Sequence, residues 1–116
     1  MTAVLFGISN CDTVRKARRW LDARHITYRF HDFRKDGTDP VTVRAWIARS
    51  GWELVVNRRS SSWKALAEPI RTSMDAPGAL DAILQQPTLV KRPVLVTDEA
   101  LEFGFSEARY GEIFAD

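Results

Sequence analysis

Apolar and polar positions along this chain change period several times, and each change marks an element. Ala3-Val4-Leu5-Phe6-Gly7-Ile8 is a continuous apolar run of strand length. Thr13 to Arg24 then places Val14, Ala17 and Leu21 at helical spacing, with Arg15, Lys16, Arg18 and Arg19 turned elsewhere. Thr27 to Phe33 alternates, with Tyr28, Phe30 and Asp32 on one side and Arg29 and His31 on the other. Strand, helix and strand at such short spacing predict a parallel pair joined by a crossover helix.

After Arg34-Lys35-Asp36-Gly37 the pattern turns helical for roughly fifty residues. Asp39-Pro40 supplies an N-cap and a first-turn proline for a helix whose face is Val43, Trp46 and Ile47, ended by Ser50-Gly51. Ser60-Ser61-Ser62 caps a short helix carrying Trp63 and Leu66, which Pro69 is expected to stop. A further helix is expected from about Asp75 or Pro77 to Gln86, with Leu80, Ile83 and Leu84 inward, before Pro87. Pro93 to Val96 and Ala100 to Phe103 read as two short strands around Thr97-Asp98-Glu99. Ser106 caps a closing helix with Tyr110, Ile113 and Phe114. The order predicts one α/β domain spanning 1–116, with a core of about 1–34 and 88–116 and a helical insertion of about 35–87 between the second and third strands.

At 116 residues the chain is long enough to bury a core without staples, and with one cysteine it forms no internal disulfide. A monomer is expected. The apolar run after Met1 is short and lacks a basic leader, and no stretch approaches a membrane span, so a cytoplasmic protein with a reduced thiol and no membrane partner is expected. A net charge of +2 does not argue for nucleic acid. Thirteen arginines against four lysines favour bidentate recognition of carboxylates and oxyanions. His25 and His31 have no ligand-spaced partners, so no metal is expected; no bound cofactor is expected either.

The candidate chemistry lies at Cys11, where the first strand gives way to the first helix. A lone cysteine is most often a small buried hydrophobe. Asn10, Asp12 and Thr13 around it suit a helix cap instead of a core. The positive end of a helix favours thiolate over thiol, which makes Cys11 a candidate nucleophile. Arg15 lies one turn along and is spaced to fold back toward the sulfur. No Cys-x-x-Cys is present, and the phosphatase spacing would require arginine at Ala17. A mixed disulfide at Cys11 must therefore be opened by another thiol.

The stretch "FGISNCDTVRKARRWL" resembles the "YGISNCDTVRKARKWL" opening of the small YffB-like branch of the arsenate reductase (ArsC) family, within the ArsC/Spx superfamily. The resemblance continues through "VVNRRSSSWKAL", "KRPVLV" and "FGFSEARY". It implies a thioredoxin-like fold, a mixed four-stranded sheet with a helical insertion. It also implies glutathione-dependent thiol-disulfide oxidoreductase chemistry, with glutathione as co-substrate and a small oxyanion or disulfide as substrate. Cys11, Arg15 and Arg92 match the family's catalytic positions, the last preceding an expected cis-proline at Pro93. Asn10, Thr13, Arg58, Arg59 and Pro93 are the implied substrate-binding residues. Arsenate-reducing members carry a serine at the position of Val14, an arginine at that of Phe105, and an insertion arginine nearest Asn57. The alternatives are arsenate reduction itself, or a non-catalytic regulator similar to the Spx factors, acting through a protein partner.

Overall fold

The computed structural model describes residues 2–115; Met1 and Asp116, the ends of the expected domain, lie outside the described residues. In chain order the elements are β1 (Val4–Gly7), α1 (Asp12–Ala23), β2 (Arg29–Asp32), α2 (Pro40–Ser50), α3 (Trp52–Val55), α4 (Ser61–Lys64), α5 (Glu68–Thr72), α6 (Ala76–Gln85), β3 (Val94–Val96), β4 (Leu101–Phe103) and α7 (Glu107–Ile113). They fall into two compact units. The first comprises the chain up to Gly37 together with Arg92 onward, and the second is Thr38–Lys91.

The first unit is built on a four-stranded sheet in the order β2-β1-β3-β4. β1 pairs with β2 in parallel, Leu5 opposite Phe30 and Gly7 opposite Asp32. It pairs with β3 antiparallel, Phe6 opposite Val94, and β4 extends the sheet antiparallel to β3. This is the mixed sheet of the thioredoxin-like fold, and the parallel pair has α1 as its crossover.

Ala3 just before β1, Leu5 of β1, Leu95 of β3, Ala17, Trp20 and Leu21 of α1, and Tyr110 of α7 form one buried cluster. Both helices therefore pack on one sheet face. Leu5, Leu21, Leu95 and Tyr110 are fully buried, and burial of a side chain of this size stabilises by about 1.5–3 kcal/mol. Gly7, at the end of β1, lies so close to α1 that a Cβ there would meet a Val14 methyl at 2.8 Å.

α1 ends in a left-handed cap without a glycine. His25 adopts φ 56°, its N–H donates to the Asp22 carbonyl, and the Ile26 N–H donates to the Leu21 carbonyl at 3.1 Å. Ile26 then packs on the cluster that contains Leu21, which completes the hydrophobic contact of this cap type. Beyond β2 the buried Asp32 carboxylate accepts the Arg34 N–H at 2.8 Å, and the Asp32 N–H donates to the Asp36 carboxylate at 2.9 Å. The turn after the strand is thus closed by side chains.

In the second unit Asp39 caps α2 as expected, and Val43, Trp46 and Ile47 are its buried face. α6 is capped by Asp75 and buries Ala79 and Ile83, while Leu80 and Leu84 are only half-buried. Two features depart from the sequence pattern. Pro69 does not stop a helix but lies in the first turn of α5, where a proline's missing N–H costs nothing. Gly51, at φ 85°, ends α2 and also starts the short α3, which has no apolar period of its own to announce it. Val55 to Asn57 pair with Leu89 to Lys91 through an isolated antiparallel bridge and flanking backbone hydrogen bonds of 2.7 and 2.8 Å. These bonds tie residues 88–91 to the second unit, which runs from Thr38 to Lys91.

Candidate active site

The chain leaves β1 through Ile8, Ser9 and Asn10 and enters α1 at Cys11. Cys11 is the N-cap, with φ −121° and ψ 125°, and its side chain makes no capping hydrogen bond. Its carbonyl accepts the Arg15 N–H at 2.9 Å. The free thiol is half-buried, at a helix end whose first N–H groups lack intrahelical acceptors. α1 begins one residue earlier than the apolar spacing indicated, because Asp12 is a favourable first-turn residue.

Arg15 does fold back over the first turn. Its guanidinium pairs with the Asp12 carboxylate and donates to the Ser9 carbonyl at 3.4 Å. Thr13 is exposed in the same turn. The Asn10 side-chain oxygen accepts from Arg34 Nη1 at 3.3 Å. Arg34 was legible only as part of a polar turn. The signal that would have found it is topological: two adjacent parallel strands end at the same sheet edge, so the residue after β2 stands beside the loop after β1.

The Arg92-Pro93 peptide is cis. The register that sets Phe6 opposite Val94 carries this peptide to the end of β1 from which the Cys11 loop departs. Pro93 is fully buried, and its carbonyl accepts the Gly104 N–H at 2.9 Å. Arg92 is half-buried, and its buried Nε has no hydrogen-bond partner among the described residues. Asn10, Cys11, Thr13, Arg15, Arg92 and Pro93 are thus placed at one end of one sheet.

Arg58 and Arg59 belong to the second unit and are exposed. The Arg58 guanidinium lies 5.8 Å from the Trp52 ring centre, and the Arg59 N–H donates to Asn57 Oδ1 at 3.0 Å. Val14 is fully buried, and Phe105 stacks edge-on against Tyr110 at 4.7 Å. Neither supplies a polar group. Burial, and then the charge of Glu102, push the Tyr110 phenol well above its usual range. No group of three metal-ligating side chains comes together among the described residues, and no helix there is long and apolar enough to cross a membrane.

A model of the ArsC family matches residues 6–113, spanning both units. The chain belongs to the ArsC family. A solved structure of a YFFB protein superposes with a TM-score of 0.93 at 38% identity, over 97% of this chain and 99% of that one. An arsenate reductase (ArsC) related protein from Brucella melitensis superposes with a TM-score of 0.80 at 41% identity, over 99% and 96%. The global transcriptional regulator Spx of Lactiplantibacillus plantarum is 25% identical, over 90% of this chain and 80% of its own. These likenesses place the chain in the YffB-like branch of the ArsC/Spx superfamily.

Proposed function

We propose that this ArsC-family protein is a thiol reductase that works through Cys11 alone and is returned to its starting state by glutathione. The observation that carries the reading is the placement of its single thiol at the N-cap of α1, at the sheet end that also holds the cis Arg92-Pro93 peptide. The N-terminus of a helix stabilises an anion, and the anion is the form in which sulfur attacks. The likeness to the arsenate reductase (ArsC) related protein of Brucella melitensis supports the same class.

In the proposed cycle the Cys11 thiolate attacks the glutathionyl sulfur of a mixed disulfide. A new S–S bond forms, the old one breaks, and the substrate sulfur leaves as a thiolate that takes a proton from water. A glutathione thiolate then attacks the sulfur bound to Cys11, releasing oxidised glutathione and the Cys11 thiolate. The substrate gains two electrons and two glutathione units become one disulfide. Arg15 and Arg92 suit the glutathione carboxylates, and Asn10 and Thr13 offer polar groups on the thiol loop. Buried Val14 and ring-stacked Phe105 provide no oxyanion donors, which disfavours arsenate as substrate.

The Spx relatives carry a second reading, a regulator that binds a protein partner without turnover. The deciding experiment is a glutathione assay coupled to glutathione reductase, offering a glutathionylated low-molecular-weight disulfide and arsenate in parallel. Turnover of the disulfide that disappears in Cys11→Ser supports the reductase. Absence of turnover with every disulfide tried, in protein whose Cys11 alkylates normally, leaves the regulator reading.

A further inference from the structure

We propose that the groove between α1 and the turn after β4 is a docking site for an acidic peptide segment of a protein partner. Lys16, Arg19, Arg24 and Glu107 line it together with the half-buried Phe105 and the edge of the largely buried Trp20. Its volume is about 500 Å³, room for a few side chains. Positions 16, 19, 20 and 24 fall on one helix face. The cations therefore stand in a row about 12 Å long.

What singles out this groove is which cations it collects. Elsewhere on α1 the positive charges are already engaged: Arg15 with Asp12, and Arg18 with the Tyr28 hydroxyl at 3.0 Å and the Phe30 ring at 4.1 Å. Lys16 and Arg19 have no hydrogen-bond or ion-pair partner among the described residues. Arg24 rests on the Trp20 ring at 4.0 Å, a contact that leaves its charge uncompensated. Three such cations against one carboxylate fix the sign of the occupant. The rings ask in addition for an apolar side chain, which a simple dicarboxylate lacks. The chain's net charge of only +2 supplies no broad field for a nucleic acid. A short acidic segment with one aromatic or aliphatic residue satisfies both demands. The proposal rests on these residues and not on the Cys11 chemistry.

The test is fluorescence anisotropy with a fluorescein-labelled peptide of glutamates and aspartates around one phenylalanine, added to the full-length protein. Binding that weakens with salt is expected. It should fall by about tenfold or more in Lys16→Glu/Arg19→Glu. The milder Lys16→Gln/Arg19→Gln pair should weaken it in the same direction if charge reversal disturbs folding. Reversing two exposed cations of the other unit, Arg44→Glu/Lys64→Glu, should leave it unchanged, as should Cys11→Ser. Replacing the peptide's phenylalanine by serine should weaken binding further. Equal binding by wild type and the groove variants overturns the proposal. Tighter binding of a single-stranded oligonucleotide of equal charge, or full displacement by millimolar glutathione, overturns it in favour of a nucleic-acid or small-anion site.

Discussion

The carboxylate of Asp12 holds the guanidinium of Arg15 beside the thiol turn, and the same guanidinium donates to the Ser9 carbonyl. The cation one turn from Cys11 is therefore shared with an acid next to Cys11 in the chain. Both side chains are exposed, at 48% for Arg15 and 84% for Asp12, and an exposed pair of this kind is weak enough for a substrate carboxylate to exchange with. Changing Asp12 to Asn should release Arg15 and remove a repulsive charge. Alkylation of Cys11 by iodoacetamide at neutral pH is expected to speed up by about two- to fivefold, the equivalent of 0.3–1 kcal/mol at a helix end. A slower reaction would show that the Asp12 charge is needed to hold the turn.

Arg92 offers a different test, because its Nε is buried and unpartnered while the peptide that follows it is cis. If this guanidinium receives a glutathione carboxylate, Arg92→Ala should slow the reaction of Cys11 with oxidised glutathione by roughly fivefold, about 1 kcal/mol for a screened pair. A neutral disulfide of similar reactivity should be little affected. Stopped-flow rates at low and high salt provide the check, since added salt should narrow the wild-type preference for the charged reagent. Equal slowing of both reagents would assign Arg92 a structural role only.

Gly7 links the sheet to the site through its closeness to Val14. An added methyl meets a fully buried branched side chain at the point where the chain turns toward Cys11. Gly7→Ala is expected to destabilise the protein by about 1–3 kcal/mol, as overpacking does. Val14→Ala in the same chain should recover part of that loss, so urea unfolding of the two single variants and the double variant should show non-additivity.

Tyr110 sets an upper pH limit. Its phenol is raised above its ordinary value of 10.0 by burial and then by the charge of Glu102. The folded state therefore keeps the proton after the unfolded chain has lost it. The sign follows: this group's contribution is fully present below pH 10 and is lost as pH rises above it, at about 1.4 kcal/mol per unit. Denaturant midpoints measured from pH 9 to 11 should fall, and Tyr110→Phe should flatten that slope. An identical slope in the variant would exclude Tyr110 as its source.

Much of this architecture was legible from periodicity, because β1, α1, α2 and α6 keep a clear apolar pattern and α2 and α6 also bear their own side-chain caps. The parallel pairing followed from the short strand-helix-strand spacing. α3 and α5 were not legible, since elements of four and five residues present too few turns to show a period. Pro69 misled for a local reason: a proline looks alike whether it ends one helix or begins the next. In the candidate site, Cys11 and its neighbours could be read from position. Arg34 could not, because its contact with Asn10 spans 24 residues and exists only through strand register. The pairing of Arg15 with Asp12 was hidden as well, since spacing brings Arg15 within reach of both an acid and a thiol.

The bond from the Asp32 N–H to the Asp36 carboxylate also bears on how the protein behaves in a crowded solution. β2 is an edge strand of the sheet, and an edge strand is a template for any extended chain that arrives. Asp36 occupies one of the donors such a chain would need and sets a negative charge beside it. Asp36→Ala would open that row, turning a guarded margin into a seam along which partly unfolded copies can join.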